Sequence, residues 1–277
     1  MSSVKCPICS EVAYVALQLS VRGKSNEPLF RCSNCAFHCF AQPNWLQQSF
    51  TDNLHQLDLG SVSRCLLVAD FVTAVLPLRR RDTRVLDWGG GDGLPTRVLR
   101  DRGIDCVWYD PFTKPTFVGD SLYEPQSQVD VTVASEVFLH LTDPVAALKS
   151  LLSHSEVVVV TAVVPPKKLD SDWWYLMPET GQHVAFYPIS ALKELADQTD
   201  TYLNTDRRFF HVFSKRRLSL ATRLLIGVRP LAFGVAYFQI GRKMVRTARG
   251  RSESLTPLDQ ARLIDKNRSE LRNPTYK

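Results

Sequence analysis

Four cysteines near the N-terminus have the types and spacing of metal ligands: Cys6, Cys9, Cys32 and Cys35. They form two C-x-x-C pairs, "CPIC" and "CSNC", with 22 residues between the pairs. Each pair places two thiolates on one tight turn, and two such turns can enclose a tetrahedral ion such as Zn²⁺. We therefore predict a small zinc ribbon over residues 1–42, with His38 or Cys39 as an alternative ligand. A closed four-ligand site predicts a structural role for the metal.

A glycine-rich turn, "VLDWGGGDG", follows the first predicted strand of the central region. Glycines let backbone amides approach a ligand closely, and a helix N-terminus attracts anionic groups. Gly89, Gly91 and Gly93 give the spacing G-x-G-x-G. The dinucleotide fingerprint needs a glycine at position 94, which is Leu94, so NAD and FAD are disfavoured.

Two acids follow at the ends of further predicted strands. Asp110 ends the second strand, 21 residues after Gly89, where a carboxylate can accept from two ribose hydroxyls. Asp120 lies where a third strand would end, and it suits contact with an adenine amine. The spacing predicts a nucleotide-like ligand with a ribose.

The segment "DWWYLMPETGQHVAFYP", residues 172–188, concentrates aromatic and ionisable side chains. It has neither the alternation of a half-buried strand nor a helical apolar stripe. Its aromatic residues can exclude water and stack on a ligand. Glu179 and His183 add titratable groups, and Gly181 permits a sharp turn between them. We predict a loop that contributes to an active site.

Strands and helices alternate around these residues. We predict strands at 84–88, 105–109, 129–134 and 156–164, helices at 94–102, 143–152 and 190–198, and a final hairpin near 201–203 and 209–214. Strands separated by helices imply a parallel sheet covered on both faces. The fold class is therefore α/β and doubly wound.

This combination resembles the class I S-adenosylmethionine (SAM) methyltransferases over residues 80–215. The segment "VDVTVASEVFLHLTDP", 129–144, is similar to the fourth strand of that superfamily and the motif after it, with Leu139 in place of the second acid. The resemblance implies a Rossmann-like, mostly parallel sheet of seven strands. It also implies these cofactor contacts: Asp87 with the Gly89 and Gly91 backbone for the methionine end, Asp110 for the ribose, Asp120 for the adenine, and Ser135 beside the methyl group.

In that fold the segment after strand five arches over the cofactor and forms much of the acceptor pocket, which is the position of 172–188. Methyl transfer to a hydroxyl requires a base, and a histidine near its ordinary pKa suits that role. His183 is our first choice for the base and His140 the second, with Glu179 as a further titratable group.

The whole layout is similar to a bacterial subgroup assigned to methylation of sugars in surface glycans or related small metabolites. We therefore expect a hydroxyl, or less readily a carbon, of a carbohydrate or related small metabolite as the acceptor. The alternative is a ribosomal RNA methyltransferase with a zinc-binding recognition domain. Nucleic acid is the less favoured partner because the ribbon has few cations and no N/D-P-P-Y/F motif follows strand four. A third reading is a non-enzymatic SAM-binding module.

Charge is distributed unevenly along the 277 residues. The net charge is +6, yet residues 207–277 alone hold 17 Lys and Arg against four Asp and Glu. The basic, apolar stretch 216–251 suits peripheral contact with an anionic membrane surface, and its alternative is a helix packed on the domain. Its longest uncharged run, 12 residues, is too short to span a bilayer.

The N-terminal residues carry no apolar signal region, so we expect a cytoplasmic protein, with the inner membrane face as the alternative site. The predicted domains are a zinc ribbon at 1–42, a helical connector at 43–82, a SAM-binding methyltransferase domain at 83–216 and a basic amphipathic extension at 217–277.

Overall fold

The computed structural model describes residues 3–50, 60–75, 83–125, 127–228, 234 and 254–272. The strands are β1 (Ser3–Lys5), β2 (Val12–Val21), β3 (Lys24–Cys32), β4 (His38–Phe40), β5 (Arg84–Trp88), β6 (Asp105–Tyr109), β7 (Val129–Ser135), β8 (Ser155–Thr161), β9 (Ala185–Phe186), β10 (Tyr202–Thr205) and β11 (Phe210–Ser214). The helices are α1 (Leu46–Ser49), α2 (Ser61–Val75), α3 (Leu94–Asp101), α4 (Pro144–His154), α5 (Ile189–Gln198), α6 (Leu220–Gly227) and α7 (Thr256–Arg272). Two 3₁₀ turns cover Phe138–His140 and Trp174–Leu176.

One sheet has five strands in the order β1-β2-β3-β4-β9. Its neighbours are all antiparallel, as expected for strands joined by short turns. β2 and β3 form a hairpin between the two cysteine pairs. β9 comes from the distant segment 172–188, for which a loop was predicted.

The other sheet has the order β10-β11-β8-β7-β5-β6. β5 and β6 run parallel, whereas β11 is antiparallel to both β8 and β10, so the sheet is mixed. Seven strands were predicted, and six are found among the described residues. Beyond β6 the structure has a single parallel bridge, Trp108 to Leu122, where the seventh strand was expected. Two prolines, Pro111 and Pro115, lie in the segment before it and disfavour a longer strand there.

The described residues fall into two compact units, unit 1 within 1–59 and 132–228 and unit 2 within 60–131 and 229–277. Unit 1 contains the five-stranded sheet, β8, β10, β11 and helices α4 to α6. Its core is built on the run Val158–Val160 of β8 and on Phe210, Val212 and Phe213 of β11, all at most 1% exposed. Asp143 caps α4 by accepting from the Ala146 amide at 2.9 Å, and Pro144 fits the first turn.

Unit 2 contains α2, α3, β5, β6 and α7. Val85, Leu86 and Leu99 are at most 1% exposed in its core. Helix α7 is anchored by Asp259, which accepts from Arg100 Nη2 at 2.6 Å and Nε at 2.8 Å, in a pair that is almost fully buried. A polar sequence after residue 250 therefore contributes a packed helix to this unit. The predicted domain ranges remain predictions.

The membrane-contact prediction for 216–251 falls mostly on residues outside the described ones. Of that stretch the structure describes 216–228 and 234, and α6 exposes Leu220 and Leu224 on one face. Among the described residues, no helix combines the length and apolar content needed to cross a bilayer.

Candidate active site

The four predicted metal ligands converge on one point in unit 1. All four Sγ atoms lie within 4.8 Å of one another. The Sγ atoms of Cys9 and Cys32 are 3.4 Å apart, and those of Cys6 and Cys35 are 3.7 Å apart. Zn–S bonds of about 2.3 Å in a tetrahedron place the sulfurs about 3.8 Å apart. The donor set and the spacing therefore fit one Zn²⁺ ion.

The alternative ligands His38 and Cys39 have a different place, in the short strand β4. They pair with Phe186 and Ala185 of β9. The end of segment 172–188 is thus a strand of the ribbon sheet, where the sequence predicted only a loop. Two residues are too few to show a period, and their partner strand is about 145 residues away in the chain.

Residues of the ribbon and of the start of the connector hold the middle of the same segment. The indole Nε1 of Trp45 donates to the Gly181 carbonyl at 2.9 Å. The backbone amide of Arg22 donates to the Pro178 carbonyl at 3.0 Å. Each bond joins residues more than 130 positions apart, so the ribbon fixes the conformation of a segment that local sequence leaves undetermined.

His183 is 9% exposed within this braced segment. Its Nδ1 lies 2.7 Å from the Tyr175 carbonyl oxygen. A carbonyl can only accept, so Nδ1 carries the hydrogen and Nε2 carries the lone pair of the neutral ring. The rings of Tyr175 and His183 also pack edge to face, 4.9 Å between centroids. The contact assigns Nε2 as the basic atom.

The phenol end of Tyr175 has its own partners. Its hydroxyl donates to Glu136 Oε2 at 2.8 Å and accepts from the Val163 amide at 3.2 Å. The other carboxylate oxygen of Glu136 accepts from Thr161 Oγ1 at 3.1 Å. Glu136 has a left-handed backbone with φ of 58°, which is uncommon for a residue other than glycine. Glu136 lies in the motif quoted at 129–144, for which no role of this acid was predicted.

His140 lies at the end of the Phe138–His140 turn, with its ring centroid 5.7 Å from that of His183. Burial, and then the nearby His183, lower the pKa of His140 to about 3. At neutral pH it is uncharged and a much weaker base than an ordinary histidine. The base roles assigned to His183 and His140 both remain predictions.

The glycine turn lies in unit 2, between β5 and α3. Gly89, Gly91 and Gly93 all have positive φ, of 72°, 56° and 88°, which explains why glycine stands at each position. The indole Nε1 of Trp108 donates to the Gly91 carbonyl at 3.0 Å. A Cβ atom at Gly91 would meet nothing within 4 Å, so the space beside this turn is open to a ligand.

Asp87 is the buried acid of the glycine turn, 1% exposed. Its Oδ2 accepts from Thr96 Oγ1 at 2.8 Å, while its Oδ1 is buried with no partner among the described residues. Burial raises the pKa of Asp87 to about 7; the Thr96 hydrogen bonds oppose this and the charge of Asp110 adds to it. An unsatisfied buried carboxylate oxygen fits a cationic amino group, such as that of a bound SAM.

Asp110 lies directly after β6 and organises the turn around it. Its Oδ2 accepts from the Gly91 amide at 3.0 Å, and its Oδ1 accepts from the amides of Phe112 and Thr113 at 2.8 and 2.9 Å. It therefore connects the end of β6 to the glycine turn, and its assigned contact with a ribose remains a prediction.

Asp120 is exposed and pairs with Lys266 of α7, Oδ1 to Nζ at 2.8 Å. The residue that pairs with β6 is Leu122, so Asp120 precedes the third-strand position instead of ending it as predicted. The ion pair with α7 was invisible in the sequence because it joins residues 146 positions apart.

Ser135 and Glu179 belong to unit 1. Ser135 ends β7, with its Oγ 3.4 Å from Thr161 Oγ1. Glu179 is exposed in the turn between Met177 and Gly181. The assigned roles of both residues remain predictions.

The mixed sheet and the glycine turn after β5 define a Rossmann-like methyltransferase fold. A family model described as a methyltransferase domain matches residues 63–203, more than half of the chain. The chain belongs to this family and is a SAM-dependent methyltransferase. No curated protein sequence matches it significantly.

Several solved methyltransferase structures are similar to the chain at low identity. The plantazolicin methyltransferase BpumL in complex with SAH shows 12% identity and a TM-score of 0.46, covering 63% of this chain and 95% of that one. An O-methyltransferase family 2 protein from Planctomyces limnophilus in complex with apigenin shows 16% identity and a TM-score of 0.46, covering 60% and 61%. Magnesium protoporphyrin IX methyltransferase from Synechocystis, with bound SAM, shows 12% identity and a TM-score of 0.39, covering 58% and 83%.

Proposed function

We propose that the enzyme transfers a methyl group from SAM to a hydroxyl, or less readily a carbon, of a carbohydrate or related small metabolite. The observation that carries this proposal is the bond from His183 Nδ1 to the Tyr175 carbonyl, at 2.7 Å. It directs the lone pair to Nε2, and a fixed neutral imidazole is the group that a hydroxyl acceptor needs to lose its proton.

The cofactor would be held in unit 2 by Asp87, the backbone of Gly89 and Gly91, and Asp110. Bound SAM supplies an electrophilic methyl group on a sulfonium centre. The buried oxygen of Asp87 would accept from the amino group of its methionine end, and Asp110 would accept from the ribose hydroxyls.

His183 would act on the acceptor. A hydroxyl that accepts a methyl group would gain positive character on its oxygen, so its proton would become acidic. Nε2 of His183 takes that proton, while Nδ1 keeps its hydrogen on the Tyr175 carbonyl. The resulting imidazolium returns its proton to solvent after transfer.

The aromatic residues of the segment support a sugar-sized acceptor. Trp174 is 69% exposed, although it packs at 5.2 Å against the buried Tyr175 ring. An exposed indole face next to a polar site can stack on the apolar face of a sugar ring. The ribbon supports RNA less well, because Arg22, one of its few cations, directs Nη1 to the Thr180 carbonyl at 3.4 Å.

We also propose that the four-cysteine cluster holds one structural Zn²⁺. All four coordination positions would be filled by thiolates, so no position stays open for chemistry. The bonds from the ribbon to segment 172–188 give this metal an indirect part in shaping the acceptor side of unit 1.

The proposal is tested by offering purified protein and methyl-labelled SAM to separated RNA, polysaccharide, lipid-linked glycan and small-metabolite fractions. Label in a glycan or sugar fraction is the expected result. Label in RNA would replace the acceptor class. No label in any fraction, with SAM binding confirmed by calorimetry, would favour a binding module.

Once an acceptor is found, histidine variants test the base. His183→Ala should lower kcat by about 10²- to 10⁴-fold, with SAM affinity retained. His140→Ala should lower it far less. His154→Ala is the matched control, because His154 ends α4 and is not among the site residues His140, Tyr175 and His183. It should leave kcat near the wild-type value. Equal losses for His183→Ala and His154→Ala would contradict the assignment.

A further inference from the structure

We propose that Glu136 and Tyr175 are a positioning pair that fixes the ring and tautomer of His183. The inference rests on the proposed role of His183 as the base. It assigns a function to two residues that lie 39 positions apart and that the sequence patterns did not connect.

The first link joins Tyr175 to His183 in two ways. The Tyr175 carbonyl accepts from Nδ1 at 2.7 Å, and the Tyr175 ring packs against the imidazole at a centroid distance of 4.9 Å and an angle of 63°. The hydrogen bond fixes which nitrogen is protonated, and the ring contact fixes the plane of the imidazole. A displacement of Tyr175 would therefore disturb both properties of His183 together.

The second link joins Tyr175 to Glu136. The phenol of this 3% exposed residue donates to Glu136 Oε2 at 2.8 Å, a charge-assisted bond that is stronger than one between neutral groups. Thr161 braces the acid from both sides, because its hydroxyl donates to Oε1 at 3.1 Å and accepts from the Glu136 amide at 2.9 Å. The left-handed backbone of Glu136 is held by this network, as is typical of strained residues at functional sites.

Among the described residues, the bonds that join His183, Tyr175 and Glu136 do not form a proton relay. Nδ1 of His183 donates to a peptide carbonyl, which does not pass a proton on to the phenol of the same residue. Glu136 therefore acts on His183 through the position of Tyr175 and not by accepting the proton of the reaction. This makes the shape of the Glu136 side chain important and its charge secondary.

The test uses full-length protein labelled with ¹⁵N-histidine. The imidazole ¹⁵N shifts report the tautomer of His183, and His183→Ala assigns its signals. In wild type we expect hydrogen at Nδ1. Tyr175→Phe and Glu136→Ala should mix the tautomers and lower kcat about tenfold with KM little changed, since a misplaced group costs mainly the reacting step.

Glu136→Gln is the conservative variant, because its amide oxygen still accepts from the phenol. It should restore most of kcat and the Nδ1–H tautomer. A loss in Glu136→Gln as large as that in Glu136→Ala would show that the carboxylate itself takes part in the reaction, and would overturn the positioning role. An unchanged tautomer in both Tyr175→Phe and Glu136→Ala would overturn it as well.

Tyr187→Phe is the matched control, since this 1% exposed tyrosine also loses a phenol bond, to the Phe138 carbonyl at 2.7 Å. Tyr187→Phe should lower the midpoint of thermal unfolding about as much as Tyr175→Phe does, while the His183 tautomer stays unchanged. The tautomer is read without turnover. A mixed tautomer in Tyr175→Phe together with a fully active His183→Ala would therefore refute the base and leave the positioning pair in place.

Discussion

Two glycine turns in this enzyme are each held by a hydrogen bond from a tryptophan indole to the glycine carbonyl. The two tryptophans lie at very different distances along the chain from their glycines. In unit 2 the carbonyl of Gly91, at φ 56°, accepts from the indole of Trp108 at 3.0 Å. In unit 1 the carbonyl of Gly181, at φ 68°, accepts from the indole of Trp45 at 2.9 Å. The first pair is 17 residues apart in sequence and the second is 136 residues apart.

The space around the two glycines differs as much as their partners do. A Cβ atom at Gly91 would meet nothing within 4 Å, whereas one at Gly181 would lie 2.7 Å from Arg22 Cδ and 2.8 Å from Trp45 Cδ1. The Gly91 turn is thus built locally and left open, as suits a cofactor. The Gly181 turn is filled by the ribbon, so its conformation depends on a remote part of the chain.

Loss of the proposed zinc ion should have the largest effect, and this effect should be confined to the Gly181 turn of unit 1. Cys35→Ser removes a proposed zinc ligand whose carbonyl accepts from Ser190 Oγ at 2.7 Å, just beyond β9. Structural zinc contributes roughly 10 kcal/mol or more to folding of such small modules. We expect loss of bound zinc by elemental analysis and loss of methyl transfer. We also expect fast hydrogen exchange at the Arg22 amide and at the Phe40 amide, which donates to the Val184 carbonyl at 3.0 Å.

SAM affinity is the discriminating readout for the Cys35→Ser protein. The partners of the Gly91 turn come from unit 2, so calorimetry should give a Kd within a few-fold of wild type. Cys65→Ser, in α2 and outside the cluster, should keep both zinc and activity. Retained zinc and slow hydrogen exchange at the Arg22 and Phe40 amides in Cys35→Ser would contradict the dependence of segment 172–188 on the ribbon.

Alanine at each glycine should separate the two turns next. Gly181→Ala places a methyl group against Arg22 and Trp45 and should lower the free energy of unfolding by about 2–3 kcal/mol. Gly91→Ala has room and should lose only about 1 kcal/mol from positive φ, while weakening SAM binding by intruding on the open space. Urea unfolding and calorimetry measure both, and equal stability losses would remove the contrast.

The same contrast explains what could be predicted from the sequence. The glycine turn, Asp87 and Asp110 are fixed by contacts within about 25 residues, so their spacing was informative, and the fold class was confirmed by the family match. The cysteine pairs were informative because chemistry alone dictates their spacing, and the structure brings all four together.

Features that depend on distant partners were not predictable in the same way. β9 has two residues and gains its identity only from β4. Asp120 was placed at the end of a third strand, but its partner is Lys266 on α7, and that strand is reduced to one bridge at Leu122. No local sequence pattern pairs Glu136 with Tyr175 or Trp45 with Gly181.

Removing each indole donor should give a smaller, reciprocal pair of effects. Trp45→Phe and Trp108→Phe each leave a glycine carbonyl without its donor, which costs about 1–3 kcal/mol when the carbonyl is buried. Trp45→Phe should lower kcat and leave the SAM Kd unchanged, whereas Trp108→Phe should raise the SAM Kd. If both variants changed the SAM Kd equally, the two turns would not serve different ligands.

Asp87→Asn tests the Gly91 side of the comparison through pH, and near pH 4 its effect on stability should be the smallest of those predicted. Because burial raises the pKa of Asp87 from 3.8 to about 7, the folded protein favours the protonated form. The stability from this carboxyl is therefore full below pH 4 and is lost as pH rises through about 7. Asp87→Asn cannot ionise, so we expect it to be more stable than wild type by up to about 4 kcal/mol at pH 8 and equal to it near pH 4. The SAM affinity of Asp87→Asn should be lower than that of wild type. For wild type we expect SAM affinity to rise between pH 6 and 8, because only the ionised acid pairs with the cationic amino group, and Asp87→Asn should lack this rise. Thermal unfolding at the two pH values and calorimetry check this, and a variant less stable than wild type at pH 8 would show that the buried oxygen already has a partner in the free enzyme.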